Sequence, residues 1–256
     1  MIGALANTPD LHAAARDAMR EALARMDAGR PVLVVSHFDA DGLAAAAVLV
    51  RALAAAGRRV EPLVLGKGET PWDAAVTERL RERAPGGVIL ADLGTRADPV
   101  LPGCATLVID HHVPTGTPEG AITLSGNGLS PEPTTALLAW WAAGALGDVG
   151  DLLWLAAIGL IGDMEEGRAF PELMQAQARW GKTALREAVV LVNAPGARPP
   201  PTPGRRCVCC CGRTGPRRSP RAPTRTPWRC TPPAPRCARR WRRPNASPRR
   251  CAATWR

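Results

Sequence analysis

From Thr8 to Val192 the chain alternates short apolar runs with longer stretches in which apolar residues recur every three or four positions. The two periods predict different elements, strands for the first and helices for the second. Thr8-Pro9-Asp10 reads as a helix start, with a hydroxyl cap, Pro at the first position and an acid in the first turn. A stripe of Leu11, Ala15, Ala18, Met19, Ala22 and Met26 follows, and Gly29 ends it. PVLVVSH (Pro31–His37) then reads as a strand, and Gly42 to Ala56 as a helix stopped by Gly57. VEPLVL, GVILADL and ATLVIDHH read as three further strands, and Ala121–Leu124 as a short fifth. Trp72–Arg83, Thr134–Leu146, Asp151–Ile161, Pro171–Trp180 and Lys182–Val192 read as helices.

Strands alternating with helices predict βαβ units and an α/β fold, a doubly wound and mostly parallel sheet followed by helices. The cores of the strands, VLVV, VIL and TLVI, are unbroken apolar runs, as expected when both sheet faces are covered. Right-handed crossovers place all the carboxyl ends on one edge, where open α/β sheets bind ligands. The apolar segments TTALLAWWAAGAL and LLWLAAIGLIG are each shorter than the ~18–20 residues of a membrane span. Both read as core helices, and no membrane partner is expected.

Composition changes this picture at one place. All 23 acidic residues lie before Gly196, with 16 Lys and Arg, so this body carries net charge −7. The 61 residues from Gly196 carry 17 Arg, 13 Pro, seven Cys, no acid and no Leu, Ile, Phe or Met. Such a segment cannot bury enough apolar surface to offset the entropy of ordering it. It reads as a low-complexity basic tail, either disordered or the product of a shifted reading frame in GC-rich coding sequence. Its cysteines lack the paired CxxC spacing of a zinc module. A single body cysteine, Cys104, and an N-terminus without signal-peptide character suit a reducing cytoplasm.

Chemistry gathers where the strands end. After the first come His37, Asp39 and Asp41; after the third, Asp92; after the fourth, Asp110, His111 and His112; Asp163 ends the apolar helix GLIGDM. Five carboxylates and three imidazoles are thus candidates for one small volume. Like charges packed so closely call for divalent cations, and this many ligands suggests two. Imidazole with carboxylate suits manganese or zinc; magnesium is also compatible. Two metals can clamp a phosphate and make a bound water acidic enough to attack it. Taken singly, each motif has a plainer reading. DxDG opens calcium loops, but the twelfth position from Asp39 is Val50 rather than Glu. It also resembles the nucleophile motif of haloacid-dehalogenase-type phosphatases, which leaves the DHH cluster unexplained.

SHFDADGLAAA, ILADLGT, VIDHH and GLIGD, in that order, resemble the four motifs of the DHH phosphoesterase superfamily, most closely its RecJ-like branch. The resemblance implies an N-terminal helix over 1–30, a catalytic domain over 31–166, helices over 167–195 and the tail over 196–256. It implies two divalent cations, manganese first and magnesium as the alternative. His37, Asp39 and Asp92 would hold one; Asp41, Asp92, His111 and Asp163 the other. His112 would face the phosphate, with Asp110 orienting the histidines. The implied activity is metal-dependent hydrolysis of phosphodiesters in short single-stranded DNA or RNA, or in nucleotides. Pyrophosphatase or cyclic-dinucleotide phosphodiesterase activity is the alternative within the superfamily; a weakly catalytic nucleic-acid-binding protein acting through its Arg-rich tail is the alternative outside it. The family's glycine-rich GGGH-like motif has no counterpart, so the C-terminal substrate-binding domain is expected to be absent. Oligomeric state is not encoded in any of these motifs.

Overall fold

In a computed structural model the described residues are 8–194; the tail predicted over 196–256 lies outside them. Five strands form one all-parallel sheet in the order β2-β1-β3-β4-β5. They are β1 (Val32–Ser36), β2 (Val60–Val64), β3 (Gly87–Ala91), β4 (Thr106–Asp110) and β5 (Ile122–Ser125). Seven α-helices accompany them: α1 (Thr8–Arg25), α2 (Ala40–Ala55), α3 (Ala74–Glu82), α4 (Thr135–Ala143), α5 (Leu153–Gly162), α6 (Pro171–Trp180) and α7 (Lys182–Asn193). The α/β class, the parallel sheet and the helices after it match the reading of the sequence.

Alternate residues of each strand divide between two cores. Val32, Val34, Ile89, Ala91, Leu107 and Ile109 face a large cluster built with α1, α2 and α4 to α7. Leu33, Val35, Val88, Leu90 and Val108 face a smaller one with Val76 and Leu80 of α3 and with Val100 and Leu101. The chain leaves β1 through α2 to one side and returns past β1 through α3 to the other. Right-handed crossovers in opposite directions put these helices on opposite faces. The order therefore reverses between β1 and β3, and the loops after these two strands diverge there. This is the crevice where such sheets bind ligands.

Two connections differ from the usual βαβ unit. Residues 92–105 between β3 and β4, and 111–121 between β4 and β5, contain no helix. The second sheet face is covered over β4 by loop rather than by helix. Element ends also shift slightly. The helix read from Gly42 begins at Ala40 because Asp39 caps it, accepting from the Gly42 N–H at 3.0 Å. The helix read from Trp72 begins at Ala74, since Asp73 ties back to Thr70 through N–H and hydroxyl bonds of 2.6 and 2.9 Å. No described helix is long and apolar enough to cross a membrane.

Candidate metal centre

The crevice between β1 and β3 collects the predicted residues. Asp39 splits its carboxylate: Oδ1 caps α2, and Oδ2 lies 2.7 Å from His37 Nδ1. Asp41, two residues on in the first turn of α2, is buried. Its Oδ2 accepts from the Thr135 N–H at 2.8 Å and its Oδ1 from the Ala136 N–H at 2.9 Å. Asp41 thus caps α4 from a point more than ninety residues earlier in the chain. The positive end of a helix dipole favours an anion there.

Two glycines make these approaches possible. A Cβ on Gly42 would lie 2.7 Å from both the Cβ and the carbonyl oxygen of His37, so only glycine lets α2 begin so close to the preceding loop. A Cβ on Gly159 of α5 would collide with Asp41 Oδ1 and come within 2.5 Å of the Ala136 Cβ. Gly159→Ala is expected to destabilise the protein by ~1–3 kcal/mol, the usual cost of overpacking. It should also weaken manganese binding by displacing Asp41. Urea unfolding and calorimetric titration check both, with Gly167→Ala, which meets open space, as the control.

Asp92 follows β3 with φ of 64°, in the left-handed region. Among residues with a side chain, Asp and Asn tolerate that region best. The turn aims a buried carboxylate back into the crevice. Its Oδ2 lies 3.7 Å from His37 Nδ1, and its Oδ1 lies 3.7 Å from His111 Nε2. His111 Nε2 is also 3.1 Å from Asp163 Oδ2 and 4.0 Å from Asp41 Oδ2. Three groups of ligand atoms result, each within 4.8 Å: His37, Asp39 and Asp92; Asp41, His111 and Asp163; and Asp92, His111 and His112. Asp92 belongs to two of them and, through His111, adjoins the third. Seven of the eight predicted residues are therefore brought to one crevice.

Asp110 sits behind them. Its Oδ2 accepts from the Gly94 N–H at 2.7 Å, and its Oδ1 accepts from the His112 N–H at 2.7 Å and lies 3.1 Å from His112 Nδ1. The bond engages Nδ1 and leaves Nε2 without a partner among the described residues, and His112 lines a cleft of about 300 Å³ with His37, Thr70, Pro71, Asp92 and Gly94. Two residues of the surroundings were not foreseen. Thr135 donates its hydroxyl to Asp92 Oδ1 at 3.2 Å. Glu132 Oε1 lies 3.7 Å from His111 Nδ1 and braces the far side of that ring. The PEPTT stretch that holds both announces only a helix start.

The electrostatics follow from burial and crowding. Burial, then the charges of Asp41, Asp39 and Asp110, push Asp92 up to about 9. Burial and the Asp163 charge raise Asp41 to about 7 against the pull of the Ala136 N–H. Burial acts to lower His111, but its bond to Asp163 and the surrounding carboxylates raise it to about 9. The bond to Asp110 raises His112. For Asp110 burial acts upward but is outweighed by His112 and the two N–H donors, so it falls below its ordinary value. Several carboxylates buried together are tolerated when a cation neutralises them. The oxygen and imidazole donors fit a divalent cation such as manganese or magnesium.

No protein-family model matches the chain. It is 32% identical over 171 aligned residues, covering 57% of its length, to the single-stranded-DNA-specific exonuclease RecJ of Thermus thermophilus. It spans 25% of that curated relative. Among solved structures it is similar to RecJ of Thermus thermophilus in complex with Mn2+, with 27% identity, a TM-score of 0.52, and 65% of this chain and 26% of that one covered. A manganese-bound exonuclease RecJ aligns at 25% identity and a TM-score of 0.50, over 70% of this chain and 46% of that one. The DHH domain of a member of the s1p family of ribosomal proteins shares the fold, at 18% identity and a TM-score of 0.53, over 72% of this chain and 51% of that one.

Proposed function

The chain carries a RecJ-like DHH domain, and from that premise we propose that it is a metal-dependent phosphodiesterase acting on single-stranded nucleic acid, DNA first, by a two-metal mechanism. The observation that carries the reading is the division of Asp92, one oxygen toward His37 and Asp39 and the other toward His111. A carboxylate placed so can serve two cations at once. His37, Asp39 and Asp92 would hold one; Asp41, Asp92, His111 and Asp163 would hold the other. Bound there, manganese or magnesium would supply Lewis-acid polarisation of the phosphoryl group and a water acidic enough to act as nucleophile near neutral pH.

The protein's own contributions are positional and protonic. Thr135 and the first turn of α4 fix Asp92 and Asp41. Asp110 fixes the His112 ring, and its carboxylate favours the protonated form. His112 Nε2 then donates to a phosphate oxygen or to the departing oxygen in the cleft. Thr70, Pro71 and Gly94 line the same cleft as His112 and would flank a bound substrate. The free thiol of Cys104 is in keeping with a cytoplasmic setting.

The test is hydrolysis of a labelled single-stranded DNA oligonucleotide by the full chain in Mn2+, with single-stranded RNA, a cyclic dinucleotide and pyrophosphate alongside. Manganese-dependent shortening of the DNA, abolished by EDTA, is expected. A chain that binds Mn2+ but hydrolyses none of the four overturns the enzymatic reading; hydrolysis of pyrophosphate alone overturns the choice of substrate.

A further inference from the structure

A second cavity, of about 270 Å³, lies on the other side of the segment that carries Asp92. It exists because the two connections flanking β4 bring no helix to this sheet face. Its floor is apolar, formed by Leu90 of β3, Val108 of β4 and Leu101. Its volume is just under the range of roughly 300–1,000 Å³ typical of small-molecule sites. That suits an occupant smaller than a drug, such as a base and its sugar. None of the proposed metal ligands lines it.

The wall offers a specific set of groups. Trp72 is half-buried and held in place by its Nε1–H, which donates to the Asp98 carbonyl at 2.8 Å. The Arg96 guanidinium lies over the Trp72 ring, 4.5 Å from its centroid. Stacking uses the face of a guanidinium and leaves its in-plane N–H donors directed outward. Arg96 is exposed and takes part in no ion pair among the described residues. Thr95, Asp98 and Glu119 also line the cavity, and the Arg96 charge reaches the Asp73 carboxylate. A flat apolar floor, a planar stacked cation with open donors and an acceptor at the mouth form a set that matches a heteroaromatic ring bearing an anionic group.

We propose that this cavity is a nucleoside 5′-monophosphate site, with the phosphate on Arg96 and the base over the apolar floor beside Trp72. The choice of nucleotide rests on the phosphodiesterase reading; the existence of a site rests on the cavity alone. Trp72 follows Pro71 and Thr95 follows Gly94, so two of the segments that line the catalytic cleft run on into the lining of this cavity. A monophosphate released by phosphodiester hydrolysis is the ligand this position would meet first.

Titration of the full chain with dAMP in EDTA, by calorimetry, tests the proposal without any hydrolysis. One equivalent is expected to bind, equally well in Asp92→Asn. Arg96→Ala should weaken it at least tenfold, about 1.4 kcal/mol. Deoxyadenosine and inorganic phosphate should each bind more weakly than dAMP. The indole N–H signal of Trp72, assigned by its loss in Trp72→Phe, should move on titration in the wild-type chain. No binding at millimolar dAMP overturns the site, as does binding that Asp92→Asn abolishes or that Arg96→Ala leaves unchanged. A chain that hydrolyses DNA but fails here loses only this site; one that binds dAMP but hydrolyses nothing loses only the proposed reaction.

Discussion

Asp92→Asn is expected to remove catalysis while making the metal-free protein more stable. The amide keeps the size of the side chain and is tolerated at φ of 64°, so the turn after β3 should persist. It can still accept the Thr135 hydroxyl through its carbonyl oxygen. It has no charge, and charge is what Asp92 supplies to both triads. On the proposed two-cation reading, loss of the shared ligand removes several kcal/mol of charge stabilisation in the transition state. At 1.36 kcal/mol per factor of ten, the rate should fall by about 10³ or more. In EDTA at pH 8 the balance reverses. Burial, then the charges of Asp41, Asp39 and Asp110, raise wild-type Asp92 to about 9, so at pH 8 the folded chain holds a proton there that the unfolded chain has released. The amide is neutral without taking up a proton, so that cost disappears, and a gain of ~1–3 kcal/mol would raise the melting temperature by several degrees. Thermal unfolding with and without Mn2+ reads both halves. A variant that loses activity and is also less stable in EDTA would mean that Asp92 acts as a structural acid.

The second large effect is a pH dependence of stability that cations reverse. Asp41 and Asp92 titrate at about 7 and about 9 in the folded chain, against 3.8 for an ordinary Asp. The folded state therefore holds these protons when the unfolded state has already released them. Metal-free stability should fall as pH rises from about 4 through 7 to 9, by up to ~1.4 kcal/mol per pH unit for each proton involved. His111 acts in the same direction. Its folded value of about 9 exceeds 6.5, so its contribution is complete below 6.5 and disappears as pH rises to 9. Asp110, lowered, stabilises above its unfolded value and loses that effect only in acid. In EDTA the melting temperature should thus be higher near pH 5.5 than at pH 8.5. Saturating Mn2+ competes with the same protons, so its affinity rises with pH. Occupancy at a hundred times Kd adds about 2.7 kcal/mol. The order of the two melting temperatures should invert, or at least the gap should close. An EDTA profile that rises between pH 5.5 and 8.5 would contradict the electrostatic account.

Much of this was legible because the chemistry lies at strand ends. Buried parallel strands are continuous apolar runs, so VLVV, VIL and TLVI mark where β1, β3 and β4 stop and which polar residues follow them. What stayed hidden depends on neighbours far along the chain. That Asp41 caps α4 is a relation between residues more than ninety apart, and nothing local to DADG announces it. The left-handed turn at Asp92 is set by its position between β3 and the Asp110 loop, whereas ADLG read alone would continue a strand. Glu132 looks like one more loop acid until His111 is placed beside it. α2 starts two residues before Gly42 because Asp39, a candidate ligand by its motif, is also the helix cap. The cavity over β4 was invisible for the opposite reason. It arises from helices that two connections do not have.

The contact between α5 and the Asp41 carboxylate ties two positions together in descent. As long as residue 41 keeps its acid against the first turn of α4, residue 159 has no room for even a methyl group. A lineage that gave up the acid for a smaller side chain would lift only part of that constraint, because the Ala136 Cβ, 2.5 Å from the added methyl, would still bar it. Glycine at 159 is therefore held twice over, by the seat of α5 on α4 and by the acid lodged between them.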